Sequence, residues 1–186
     1  GGMPGFGAGA KRPFVHDVKL SLEELYTGTV KKLKITRNTI SAGREREKTF
    51  ELQIKPGWKA GTKLTFAGEG DEFAQGQAQD IVFVVKEKPH PCFHREGNDL
   101  VFKHRVPLVD ALTGFKVNVP MLDKRTLEVN VTDVVTQTYT KVVRNEGMPK
   151  AKEPGAKGDL VITFDVTWPS RLSAEVKAQL KQILPR

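Results

Sequence analysis

The chain has 186 residues, 38% hydrophobic and 28% charged, enough to bury a core as one large domain or two small ones. Its formal charge of +8 favours acidic partners, but aromatics make up only 8% and none lies between Val30 and Arg37, which counts against single-stranded nucleic acid. One cysteine, Cys92, excludes an intramolecular disulfide framework and a multi-cysteine zinc site, suits a reducing compartment, and no apolar run is long enough to span a membrane as a helix.

Residues 1–12 open with Gly1-Gly2-Met3-Pro4-Gly5-Phe6-Gly7-Ala8-Gly9-Ala10, which lacks the charged and apolar regions of a signal peptide. They read as a flexible linker belonging to something longer, and no preceding strand supports a phosphate-binding turn in the Gly5-Phe6-Gly7 run. From Phe14, Val18 and Leu20 alternate with Asp17 and Lys19, predicting a half-buried strand with His16 on the Val18 face. Ser21 followed by Glu24 has capping-box spacing and Gly28 ends the segment, predicting a short helical turn. Glu23 and Glu24 are adjacent, so they do not converge as an acid/base pair and read as charges at a helix N-terminus, with nothing nearby to shift their pKa values.

Val30-Lys31-Lys32-Leu33-Lys34-Ile35 is the stretch around which the rest is organised. As a strand it places Lys31, Leu33 and Ile35 with Thr29 on one face, and Val30, Lys32 and Lys34 on the other. An apolar strip with an ammonium at its end suits an extended peptide that is apolar in places and acidic in others. The plainer alternative is an edge strand whose lysines discourage aggregation.

Ser41-Ala42-Gly43 marks a turn, and Phe50, Leu52 and Ile54 alternate with Glu51, Gln53 and Lys55 in the clearest half-buried strand, with Lys48 in phase. Pro56-Gly57 breaks it; Lys63 to Phe66 is a short strand, Gln75 to Gln79 a polar loop, and Ile81 to Val85, containing Phe83, a buried strand. The second half then repeats the first. Ser21 to Gly28 returns as Pro107 to Gly114, Phe66 to Gly70 as Val143 to Gly147, and Asp80 to Phe83 as Asp159 to Ile162. The expected fold is mainly β: two tandem duplicated β-sandwich-like units, 13–88 and 89–169, joined near Pro89 to Pro91, then a C-terminal amphipathic helix within 170–186. In that helix of about twelve residues, capped by Ser173, the residues Val176, Leu180, Ile183 and Leu184 form an apolar stripe that either folds back or pairs with a second copy.

His90, Cys92 and His94 match no closed zinc spacing, and no Walker loop or Gly-x-Ser-x-Gly elbow is present, so neither a metal nor a cofactor nor an enzyme is expected.

Together, Val18 to Gly28, Lys31 to Ile35, Lys55-Pro56-Gly57-Trp58-Lys59-Ala60-Gly61-Thr62, Phe66 to Asp71, Asp80 to Val84, His94 to Leu100 and Gly158-Asp159-Leu160 resemble the C-terminal substrate-binding region of class B J-domain co-chaperones, the DnaJ or heat-shock protein 40 family. The leading residues resemble the end of that family's Gly/Phe linker. His90-Pro91 is followed by Cys92 and not by Asp, so the His-Pro-Asp motif of a J domain is missing, as are the Cys-x-x-Cys pairs of class A. The resemblance implies a chaperone module for unfolded polypeptide and for the acidic C-terminal tail of heat-shock protein 70, working in the cytoplasm or nucleus. It also implies a V- or U-shaped homodimer made by the C-terminal helix. By position, its peptide groove falls on His16, Val18, Lys31, Leu33, Ile35 and Phe83, with Lys34 and Lys48 at the rim. The rival readings are a basic nucleic-acid-binding β protein and a structural dimerisation module without a ligand.

Overall fold

The structure is a computed structural model describing residues 11–186; the expected linker lies outside the described residues except at its end. The first half comprises β1 (Phe14–Leu20), α1 (Leu22–Thr27), β2 (Thr29–Thr36), β3 (Glu47–Ile54), β4 (Lys63–Phe66), β5 (Glu72–Ala74), β6 (Gln77–Ala78) and β7 (Ile81–Glu87). The second half comprises β8 (Phe93–Glu96), β9 (Asp99–Pro107), α2 (Leu108–Thr113), β10 (Phe115–Pro120), β11 (Thr126–Val131), β12 (Thr140–Val143), β13 (Leu160–Thr167) and α3 (Ala174–Ile183). The chain is mainly β, as its alternating patterns predict.

β7 is apolar on both faces, with Ile81, Phe83, Val84 and Val85 all buried, and such a strand belongs in the middle of a sheet. It lies between β1, to which it runs parallel, and antiparallel β4. The ribbon of β2 and β3 packs across this sheet through Phe50, whose ring lies 5.1 Å from Phe66 and 5.5 Å from Phe83. In the second half β13 runs parallel to β9 and antiparallel to β12, while β10 and β11 form the matching ribbon. The order β1-β7-β4 thus recurs as β9-β13-β12, with β8 added outside β9. Buried side chains of both halves belong to one contacting core.

The capping box of α1 is present: the Glu24 N–H donates to the Ser21 hydroxyl at 3.2 Å, and the Ser21 N–H donates to the Glu24 carboxylate at 2.9 Å. Gly28 follows at φ +77°, where a Cβ would stand 2.9 Å from the Ile54 carbonyl oxygen, so a larger residue would push β2 away from β3.

Three expectations need correction. The polar loop at Gln75 to Gln79 contains part of a small hairpin, because β5 and β6 pair around Gly76. The last helix is ten residues long and Leu184 stands outside it, in extended conformation at the C-cap. The glutamates of α1 are also not indifferent charges. Burial opposes ionisation of both, yet hydrogen bonds hold both below the usual carboxylate range, Glu23 through backbone and His90 contacts and Glu24 through Lys31 and Ser21.

The loop between β2 and β3 is pinned to the β4–β5 turn by charge. Buried Arg37 donates to the Glu45 carbonyl at 2.9 Å and pairs with the Glu69 carboxylate at 2.6 Å. Buried Glu72 accepts from the backbone N–H groups of Ser41 and Ile40 and pairs with Arg44 at 3.3 Å. Those two N–H donors, with Arg44 behind them, lower the Glu72 pKa from 4.5 to about 2. A depressed carboxylate stabilises the fold fully above its unfolded value and loses that contribution as pH falls through its folded value. Urea midpoints measured from pH 7 downward are therefore expected to fall between about pH 4.5 and 2, and Glu72→Gln to make that decline shallower while lowering the midpoint at pH 7.

Candidate peptide-binding edge

Strand β2 has one bonded edge and one open edge among the described residues. Its register pairs Leu33 with Phe50, Lys31 with Leu52 and Ile35 with Lys48. The same register continues to Arg37, whose N–H donates to the Arg46 carbonyl at 2.7 Å. Hydrogen-bonded pairs alternate along an antiparallel ladder, so residues 31, 33 and 35 bond inward and the backbone groups of Val30, Lys32, Lys34 and Thr36 point to the open edge. This leaves a row of donors and acceptors ready for another strand.

The side chains on the inner face follow the predicted alternation. Lys31, Leu33 and Ile35 are each half-buried, whereas Phe50, Leu52 and Ile54 across the ribbon are buried. The difference accords with β3 lying over β7 and β4, where the Phe50 ring meets Phe83 and Phe66. Near the end of the strip, Ile35 lines a cavity of about 40 Å³ together with Phe14 of β1 and Ile81 of β7.

Of the predicted site residues, half-buried His16 sits on β1 with its ring 5.8 Å from Phe83, edge to face. Val18 is buried and Phe83 is 0% exposed, so these two form the floor beneath the strip and offer no surface of their own. Phe83 is locked there by the rings of Phe50 and Phe66, both at 5.5 Å. Lys48 lies 5.6 Å from the Phe50 ring centre, opposite Ile35.

The sequence reading missed the partners of the lysines. Lys31 pairs with Glu24 at 2.5 Å, Lys32 with Glu51 at 3.3 Å, Lys34 with Glu47 at 2.6 Å and Lys48 with Glu69 at 2.7 Å. Lys48 and Arg37 hold Glu69 below the usual carboxylate range against the opposing effect of burial. The Lys32 and Lys34 pairs are solvent-exposed and worth at most about 1 kcal/mol, so an incoming carboxylate can displace them. Glu51 faces Lys32 directly and a strand register would have found it; Glu24 and Glu69 come from a helix and a distant turn.

The corresponding ribbon of the second half differs. Val117 and Val119 of β10 are fully buried, and Pro120, which has no N–H, occupies an outward-bonding position. The open strip is therefore a feature of the first half. His90, one of the residues drawn as a metal ligand, accepts the Cys92 and Phe93 N–H groups at Nδ1 and faces the Glu23 carboxylate through Nε2 at 2.7 Å.

At the other end, Val176 and Leu180 of α3 line a depression of about 400 Å³ with Leu112, Trp168 and Leu172. Ile183 is 76% exposed, Leu184 is exposed, and no side chain of α3 is buried.

The family model of the DnaJ C terminal domain matches residues 14–169. DnaJ homolog subfamily B member 13 of Homo sapiens is 41% identical over 189 residues, covering 99% of this chain and 60% of that protein. DnaJ homolog subfamily B member 5 of Homo sapiens is 41% identical over 177 residues, covering 93% of this chain and 51% of that protein. Protein SIS1 of Saccharomyces cerevisiae is 34% identical over 167 residues, covering 89% and 47% respectively. The chain spans about half the length of these relatives. With residues 14–169 matched by the family model and relatives 34–41% identical over most of its length, the chain belongs to the DnaJ C-terminal domain family, among the class B heat-shock protein 40 members.

Proposed function

We propose that the chain is a chaperone module that holds extended segments of unfolded polypeptides along β2, and that the same edge takes the acidic C-terminal tail of heat-shock protein 70. It acts as a cytoplasmic or nuclear co-chaperone, binds without catalysis or cofactor, and works as a homodimer through α3. We read it as two units, 13–88 and 89–169, of which the first carries the peptide site. The observation that carries this reading is the open β2 edge, whose backbone groups have no strand partner among the described residues, beside the half-buried strip of Lys31, Leu33 and Ile35. β-augmentation draws affinity from main-chain hydrogen bonds, which any sequence supplies, and preference from side-chain contacts at alternate positions. Nucleic acid draws no support from this edge, since Lys31, Lys32, Lys34 and Lys48 are each paired with a carboxylate.

Peptide titrations on the folded chain test the assignment. Leu33→Asp is expected to weaken an uncharged apolar peptide at least about tenfold, because a carboxylate in the half-buried strip must be desolvated. Lys31→Glu and Lys34→Glu are each expected to weaken a peptide ending in Glu-Glu-Val-Asp by about tenfold and the apolar peptide much less. At Lys31 the loss has two parts, since the substitution removes an ammonium and sets a second carboxylate beside Glu24. Tail binding indifferent to both lysine substitutions at low salt would remove the tail from this edge.

A further inference from the structure

The lysines of β2 are all neutralised within the chain, but a second group is not. Between the two halves lies a cleft of about 620 Å³ whose lining includes Trp58 and Lys55 and Lys59 from the first half, and Lys150, Lys152 and Glu153 from the second. Among the described residues none of these four lysines forms an ion pair. Residues 1–10 contain no Asp or Glu. Glu153 is the single acidic residue on the lining, so the cleft is a concentrated positive field facing water from both walls.

The walls are fixed in place. Gly57, at φ +87°, lies so close to the second half that a Cβ there would stand 2.3 Å from the Pro149 carbonyl oxygen and 2.8 Å from the Ala151 nitrogen. Arg95, whose side chain is 4% exposed, donates to the Trp58 carbonyl at 2.7 Å and the Gly57 carbonyl at 3.0 Å and pairs with Glu87 at 3.3 Å. The opposite wall is a loop closed on itself, with the Lys150 N–H donating to the Ala156 carbonyl at 2.9 Å and the Ala156 N–H to the Glu153 carbonyl at 3.0 Å. Lysines held on two rigid walls keep little backbone freedom to lose when a ligand arrives.

We infer that this inter-unit cleft is a second binding surface, for short acidic peptide segments carrying several carboxylates in succession. Cations on both walls require an elongated ligand with more than one negative group, and the volume matches a few residues and not a duplex. Flexible ammonium groups accommodate carboxylates at irregular spacing, whereas bidentate phosphate recognition draws on arginine, and no arginine lines the cleft. The surface differs in demand from β2: it needs no apolar residue in the ligand and offers no open strand edge, so the inference is independent of the reading of β2.

The test uses an acetylated six-residue peptide of alternating Glu and Asp, titrated calorimetrically into the whole chain. The double substitution Lys59→Glu with Lys152→Glu is expected to weaken it at least about tenfold, while Lys31→Glu with Lys34→Glu changes it less than about twofold. Lys59 and Lys152 are exposed, and the milder pair Lys59→Gln with Lys152→Gln, expected to weaken binding several-fold at an unchanged thermal midpoint, separates lost binding from lost folding. Binding that survives both cleft pairs, or that disappears with the β2 pair, overturns the assignment. So does a short double-stranded DNA that binds through the same lysines more tightly than the peptide.

Discussion

Phe83→Ala is expected to lower stability by about 3–5 kcal/mol, the largest loss of any residue assigned to the peptide site. The side chain is 0% exposed at the centre of β7, opposite His16 on one neighbouring strand and Leu64 on the other. Its ring meets His16, Phe50 and Phe66 between 5.5 and 5.8 Å, so truncation opens a cavity that three rings on three other strands would have to collapse to fill. A domain is stable by only about 5–15 kcal/mol, so this variant is expected to be largely unfolded on heating or in mild urea before peptide is added. Binding lost in Phe83→Ala therefore reports folding. Leu33→Asp, at a half-buried position, reports the site. A urea midpoint shift worth less than about 1 kcal/mol would show that the aromatic cluster is not the packed floor described above.

Apart from the repeat, which recurs as the strand orders β1-β7-β4 and β9-β13-β12, what could be read from the sequence was local. Alternation at Phe50, Leu52 and Ile54 and at Lys31, Leu33 and Ile35 is a property of a pleated backbone, and it predicted the faces of β3 and β2 residue by residue. The capping box at Ser21 and Glu24 is likewise a contact within one turn. What could not be read depends on which strand lies beside which. Both ribbons alternate in sequence, yet Leu33 and Ile35 stay half-buried while Val117 and Val119 are fully covered. Alternation names the inner face and says nothing about how much covers it. Arg37 looks like any charged loop residue; it is buried because the end of β2 brings its guanidinium to Glu69 and the Glu45 carbonyl. The site lysines have the same history. Sequence displays their charge, and only folding brings Glu24 and Glu69 to within 3 Å of Lys31 and Lys48. An edge that reads as strongly basic is therefore closer to neutral, and the preference for an acidic tail that we propose would rest on exchange of carboxylates and not on free charge.

Removal of Ser173 to Arg186 is expected to give monomers in which both β units remain folded. The ten-residue helix α3 is too short to be stable alone, and none of its side chains is buried in the rest of the chain. Val176 and Leu180 touch the depression that they line with Leu112, Trp168 and Leu172, but Trp168 is 67% exposed and Ile183 projects from the far side. Apolar groups gathered in one place and left in water mark a surface meant to be covered. A second copy brings the same helix and the same depression, so two α3 stripes can cover one another with twofold symmetry. Deletion takes away the cover without opening either sandwich, and sedimentation velocity is expected to show the mass halved while the circular dichroism of the strands is retained. Leu180→Asp makes the same point with one residue: burying an unpaired carboxylate costs about 2 kcal/mol or more, equivalent to dimer affinity weakened by more than about tenfold. A truncated chain that still sediments as a dimer at micromolar concentration would place the interface away from α3.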